Sequence, residues 1–193
     1  MFLSYIEDFI ARSSKKPNTM RNYQTTKNHI EAFENKTGKK YRLTEIDLNF
    51  YDAFVRYMVE KPSKVNTIFT HIKNIKVFLT DAFDHGVDMN LDFRKRPFKT
   101  VSEEIDAIYL TTSEIDSIAG LELSANLKYD RVRDWFLVGC LTGLRYSDYH
   151  QLRKENLNPY KDTYILKIRM VKTDVLIAVP LKPQVLDILK KYN

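Results

Sequence analysis

Along the first half of the chain, apolar residues recur at helical spacing. Phe2, Tyr5, Ile6, Phe9 and Ile10 follow i, i+3, i+4 steps and predict one amphipathic helix, broken by Ser13-Ser14-Lys15-Lys16-Pro17-Asn18. A second helix is predicted from about Thr19 to Asn35, with Met20, Tyr23, Ile30 and Phe33 inward and Gly38 suited to a left-handed closing position. A third, about Asp47 to Glu60, carries Phe50, Phe54, Tyr57 and Met58; Pro62 parts it from a fourth, about Ser63 to Asp84, closed near Gly86. Short links between four such helices imply a compact bundle.

The pattern then changes. Asp92-Phe93-Arg94-Lys95-Arg96-Pro97-Phe98-Lys99-Thr100 packs four cations into six positions and shows no stripe, which suits a linker that touches phosphate or an ordinary surface loop. Ile105 to Leu110 reads as strand-like, and Thr111 three residues before Glu114 is a helix-start pattern. A long helix is predicted from about Leu127 to Leu141. Beyond Leu152 the period shortens: Tyr164–Met170 and Val175–Pro180 are β-type runs around Val171-Lys172-Thr173-Asp174, a hairpin signature. A last helix should run from Pro183 to about Lys191. The sequence thus predicts a mainly α protein with a small antiparallel β-hairpin or sheet. Its expected parts are a helical bundle over 1–92, a basic linker over 93–104, and an α+β domain over 105–193.

Composition sharpens this. Five glycines and six prolines in 193 residues disfavour a turn-rich all-β fold. No apolar run approaches the roughly 20 residues of a membrane span, and the acidic start lacks the positive front of a signal peptide. Cys140, the single cysteine, sits in an apolar helical stretch and reads as a core residue in a reducing, cytoplasmic setting. The net charge of +6 is uneven: residues 1–100 hold 18 Lys+Arg against 12 Asp+Glu, whereas the rest is balanced. A basic half joined to a neutral half suggests a polyanionic partner, or a basic solvated surface.

The fourth helix refines the polyanion reading. At about 100° per residue, Val65, Ile68, Phe69, Ile72, Ile75, Leu79 and Phe83 share one arc, and Lys64, Asn66, Thr67, Thr70, His71, Lys73 and Asn74 share the opposite one. That outer arc holds no carboxylate before Asp81, and its cations, amides and hydroxyls are the groups that contact phosphates and base edges. The second helix is similar, with Arg21, Gln24, Thr25, Lys27 and Asn28 ahead of Glu31. Arg94 and Arg96 of the basic segment join these as candidate DNA contacts.

The most specific stretch is Thr142-Gly143-Leu144-Arg145-Tyr146-Ser147-Asp148-Tyr149-His150-Gln151-Leu152. It resembles the first active-site box of tyrosine recombinases of the phage integrase type, T-G-x-R-x-[SG]-[DE]-x-x-x-L, at every defined position. Physically, Gly143 permits a sharp turn between helices, Arg145 after it can offer a planar fork to a phosphate, and Asp148 on the next turn can hold that guanidinium. The family carries a catalytic lysine on a β-hairpin shortly after this box. Here Lys172 lies between two strand-like runs 27 residues beyond Arg145. Hairpin tips also favour lysine without any catalytic role.

The resemblance implies site-specific recombination of double-stranded DNA through a phosphotyrosine intermediate, with catalytic Arg145 and Lys172 and supporting Asp148. A four-helix core-binding domain would complete a C-shaped clamp. No metal or nucleotide cofactor and no membrane are implied, and four protomers would assemble only in the complete enzyme on DNA. It further implies an H-x-x-R box, another His or Trp and a nucleophilic tyrosine, which cannot be placed. His150-Gln151-Leu152-Arg153 matches the letters but lies inside the first box, and Tyr192 reads as incidental. The sequence therefore reads as a truncated recombinase that binds DNA without cutting it. The rival readings are a non-catalytic DNA-binding module and a helical domain that binds an acidic protein.

Overall fold

Aromatic residues at helical spacing build the first core. Phe2, Phe33, Phe50, Phe54 and Phe78 are at most 2% exposed. Phe33 lies at the centre, with ring centroids 5.9 Å from Phe50, 5.5 Å from Phe54 and 5.2 Å from Tyr57. Such edge-on and tilted contacts add to the burial of large apolar area. They hold together α1 (Phe2–Arg12), α2 (Pro17–Thr37), α3 (Leu48–Val59) and α4 (Val65–Asp84) in a computed structural model that describes residues 1–62, 64–99, 103–104 and 106–192. Ser63, expected to start the fourth helix, lies outside the described residues. Two compact units result, Met1–Asp106 and Ala107–Asn193.

Local chemistry sets the helix limits. Pro17, expected as a breaker, occupies the first turn of α2, where its missing N–H costs nothing. Gly38 closes α2 at φ 68°, a left-handed value that favours glycine. Asp47 caps α3 by accepting from Phe50 N at 2.8 Å. Asp47→Ala should lower the unfolding free energy by about 1 kcal/mol, read from the urea midpoint of the first unit.

The segment 93–104 departs from the linker expected of it. Phe93 is 3% exposed and Phe98 fully buried, both in the bundle core. The Arg94 guanidinium lies 3.9 Å over the Phe83 ring, Lys76 Nζ donates to Phe98 O at 2.9 Å, and Tyr51 Oη donates to Lys99 O at 3.2 Å. Further on, Asn66 Nδ2 donates to Glu103 O at 3.0 Å and Asn66 Oδ1 accepts from Glu103 N at 2.8 Å. Its contacts on α4 thus move from Phe83 through Lys76 to Asn66, so the segment is a strap running antiparallel to that helix. The cations masked two core phenylalanines, and the first compact unit, Met1–Asp106, takes in this segment. Thr100, Val101 and Ser102 lie outside the described residues.

The second unit comprises α5 (Thr112–Ala119), α6 (Leu127–Thr142), α7 (Tyr146–Tyr149), β1 (Leu157–Tyr160), β2 (Thr163–Arg169), β3 (Leu176–Pro180) and α8 (Pro183–Lys191). The expected capping box is present, with Thr111 Oγ1 accepting from Glu114 N and Glu114 Oε2 accepting from Thr111 N. The hairpin is part of a three-stranded antiparallel sheet in the order β1-β2-β3, in register Leu157↔Leu166 and Ile168↔Ile177. Leu166 and Ile168 of β2 face a core made with Leu137 and Val138 of α6 and Val185, Ile188 and Leu189 of α8. Strand β1 was missed because it is short and contains Pro159, which an edge strand tolerates. The strand-like stretch before α5 forms no strand over its described residues: Ile105 is outside them, and Ile108 is 100% and Tyr109 82% exposed.

Candidate phosphodiester site and nucleic-acid interface

Two glycines shape the arginine box. Gly143 ends α6 at φ 67° in the left-handed region, and its N–H donates to Gly139 O at 3.0 Å. Gly139 itself has no room for a side chain, since a Cβ there would stand 2.8 Å from Tyr149 Cε1. The absence of a side chain lets α7 pack on α6. Arg145 then caps α7 with extended backbone, its carbonyl accepting from Asp148 N at 2.8 Å and Tyr149 N at 3.0 Å. Gly139 was not singled out from the sequence, because nothing in the sequence says which ring crosses the helix there.

The side chains of the box differ from expectation. Arg145 is exposed, and its Nη1 contacts Met170 Sδ at 3.8 Å at the end of the hairpin. Asp148 is fully buried and does not grip the guanidinium. Its Oδ1 accepts from Val171 N at 2.8 Å, and its Oδ2 is buried without a hydrogen-bond partner. The reason is direction: the carboxylate of α7 turns inward under the hairpin while the Arg145 side chain leaves outward. Lys172 lies in the hairpin turn, exposed, two residues after the Met170 that Arg145 touches. The turn closes through Met170 N to Val175 O at 2.9 Å and Asp174 N to Met170 O at 2.8 Å. Arg145 and the Lys172 turn are therefore neighbours, and Asp148 ties that turn to α7.

Tyr192 is engaged elsewhere. Its hydroxyl donates to Asp134 Oδ2 at 2.8 Å, and burial, then the Asp134 hydrogen bond and charge, push its pKa up.

The outer arc of α4 is only partly an outer face. Lys64, Thr67, Thr70 and Lys73 are exposed, and Thr70 Oγ1 donates back to Asn66 O at 2.8 Å. Asn66 is committed to the backbone of Glu103, so its amide is not offered to bases. His71 and Asn74, expected as DNA contacts, are 5% and 8% exposed and face α2. Thr26 of α2, fully buried, lies 2.9 Å from His71 Nδ1 and accepts from Asn74 Nδ2 at 2.8 Å. His71 Nε2 is buried without a partner. Burial, reinforced by the charges of His29 and Lys61, lowers the His71 pKa to about 4, so the ring is neutral at physiological pH. A helical wheel cannot distinguish a wet polar face from a polar helix–helix seam. On α2, Arg21 and Thr25 are exposed, with Thr25 Oγ1 donating to Arg21 O at 2.9 Å, whereas Lys27 pairs with Glu7 at 2.7 Å. Arg94 is stacked on Phe83 and Arg96 is exposed.

Among the described residues, no group of three or more His, Cys, Asp or Glu could hold a metal ion, and no helix is long and apolar enough to cross a membrane. The family described as Phage integrase SAM-like domain matches residues 1–95. No curated protein sequence matches the chain. The fold over nearly the whole chain is shared with the Tn1549 transposon integrase (residues 82–397) solved with circular intermediate DNA, at TM-score 0.69 and 17% identity, covering 98% of this chain and 63% of that one. It is shared also with the lambda integrase tetramer bound to a Holliday junction, at TM-score 0.72, 18% identity, and 98% and 55% coverage. The lambda integrase (75–356) dimer on a COC′ core site gives TM-score 0.73 and 18% identity, with 98% and 67% coverage. The chain spans about 63% of the length of the Tn1549 integrase structure.

A helical first unit that matches the SAM-like domain, then an arginine-bearing turn at the end of a helix and a small antiparallel sheet, is the arrangement this chain shares with those integrase structures. Residues 1–95 thus match the phage integrase SAM-like domain, and the chain as a whole has the fold of these integrase structures.

Proposed function

We propose that the chain binds duplex DNA and supplies two of the groups that act on one phosphodiester in site-specific recombination. The observation that carries this reading is the approach of Arg145, in the arginine box, to Met170, two residues before Lys172. A guanidinium and an ammonium that reach the same oxygens can stabilise the pentavalent transition state and protonate the leaving 5′ oxygen, respectively. A tyrosine attacking phosphorus would leave a 3′-phosphotyrosyl bond and a 5′-hydroxyl, and that bond conserves the energy needed for rejoining, so no nucleotide cofactor is required. The first unit would hold the duplex through exposed Arg21, Lys64, Lys73 and Arg96. Relatives with this fold were solved on DNA, as a lambda integrase dimer on a core site and as a tetramer on a Holliday junction. Both support a DNA partner and assembly on DNA.

Phosphate contacts carry a salt signature, since each neutralised phosphate contributes a log–log slope of about −0.9. Affinity for duplex DNA should fall steeply between low and moderate salt, and a Lys64→Glu, Lys73→Glu double variant should flatten the slope without changing the unfolding midpoint. A salt-independent affinity would defeat the reading.

The engagement of Tyr192 by Asp134 favours a second reading, in which these residues occupy DNA without cutting it. Incubation with a nicked suicide duplex and denaturing electrophoresis separates the two. No covalent band attributable to Tyr192 is expected; a band that vanishes in Tyr192→Phe would assign it as the nucleophile.

A further inference from the structure

We propose that Asp148 is a positioning residue for Lys172, not the holder of Arg145; the role rests on reading Lys172 as an acid at the phosphodiester. Asp148 is fully buried, and its Oδ1 takes the Val171 N–H at 2.8 Å, on the residue directly before Lys172. The hairpin's own turn bonds use the N–H groups of Met170 and Asp174. The tip residues Val171, Lys172 and Thr173 are exposed, so burial in the core does not fix them. A charge-assisted bond from a buried carboxylate to the peptide before Lys172 is the stronger kind of restraint on such a tip.

The restraint has a geometric consequence. Asp148 stands in α7, whose N-cap is Arg145. By holding Val171, it references the Lys172 backbone to the same short helix that launches the arginine. The spacing of the two cations is thereby set by one element of four residues, Tyr146–Tyr149, although Arg145 and Lys172 belong to different secondary structures. Arg145 gets nothing comparable from the carboxylate: among the described residues no ion pair joins them, and its Nη1 meets only a soft sulfur acceptor at 3.8 Å. The other oxygen, Oδ2, is buried without a partner. The bond from Val171 N–H is thus the contact through which the buried carboxylate reaches the hairpin turn.

Backbone amide hydrogen exchange of the 193-residue chain, followed by NMR without DNA, tests the assignment. Asp148→Ala should speed exchange at Val171 at least tenfold, with amides of α6 and β2 changed less than threefold. Asp148→Asn, which keeps an acceptor oxygen in place, should retain the protection, and Arg145→Ala should leave it intact. If Asp148→Ala does not fold, Asp148→Ser withdraws the acceptor while keeping a polar group and takes its place. Unchanged exchange at Val171 in Asp148→Ala overturns the proposal. So does equal deprotection by Arg145→Ala, which would make the guanidinium the anchor. Loss of the fold in both Ala and Ser variants would assign Asp148 to the core alone and overturn it too. Because no DNA is present, this outcome is independent of whether the chain acts on a phosphodiester, which the salt titration addresses.

Discussion

Between pH 6.5 and pH 4 the first unit should lose about 3 kcal/mol of stability through one side chain, His71. The ring sits in the seam between α2 and α4, 5% exposed, against Thr26 and beside the His29 ring at 4.6 Å. Burial first, then the nearby charges of His29 and Lys61, lowers its pKa from 6.5 to about 4. In the unfolded chain the imidazole takes its proton near pH 6.5; in the folded chain it refuses that proton until about pH 4. Above 6.5 neither state is protonated and the full stability is present. Below 6.5 the unfolded state alone gains the proton, so stability declines by about 1.4 kcal/mol per pH unit until the folded ring titrates, then levels off. His29 adds to the same trend, its pKa also lowered by burial and by Lys61. Urea midpoints of the wild type and His71→Gln across this range measure the effect. The difference between the two should shrink toward acid pH; parallel curves would show that His71 carries no such load.

That histidine also shows where the sequence stops being readable. Periodicity located α1 to α4 and α8 because each buries a stripe, and a stripe is a property of sequence alone; the hairpin showed instead as two β-type runs around a polar turn. The arginine box was legible for a different reason: it is a local motif whose turn, cap and anchor lie within eleven positions, Thr142 to Leu152. What failed was everything decided by a second element. His71 and Asn74 looked outward because the wheel knows nothing of α2. Asn66 looked available because nothing local announces that Glu103 will come back along α4. Phe93 and Phe98 were overlooked because cations surround them, though two phenylalanines in a short basic run are an anchoring signal. Asp148 was assigned to Arg145 on helical spacing, which sets which residues share a face but not which side chain reaches farther. In each case the deciding partner lies on an element remote in sequence, which local spacing does not reveal.

Removing the carboxylate of Asp134 should destabilise the second unit more than any exposed charge change in it, by about 3 kcal/mol. Asp134 is 3% exposed on α6 and accepts hydrogen bonds from three side chains. Arg133 reaches its Oδ1 at 2.8 Å, while Lys191 and Tyr192 reach its Oδ2, each at 2.8 Å. Burial pushes the carboxyl pKa up, but those hydrogen bonds outweigh it and hold the group below its ordinary value of 3.8. The carboxylate is thus ionised at neutral pH. Its contribution should be present above pH 3.8 and vanish as pH falls through the lower folded value. In Asp134→Ala the donors lose a shared acceptor, and Asp130, which also pairs with Arg133 and Lys191, cannot satisfy them all. Breaking one partner out of a buried cluster is the costly case, whereas an exposed pair such as Lys190 with Asp187 contributes little. Tyr192→Phe removes only one neutral donor and should cost about 1 kcal/mol. The consequence reaches the arginine box, because Asp134 pins α8 to α6 and α6 ends at Gly143, two residues before Arg145. Thermal melts of Asp134→Ala, Tyr192→Phe and Lys190→Ala should rank in that order of damage. If Asp134→Ala melts with the wild type, the cluster is decoration on an apolar core and α8 is held by Val185, Ile188 and Leu189 alone.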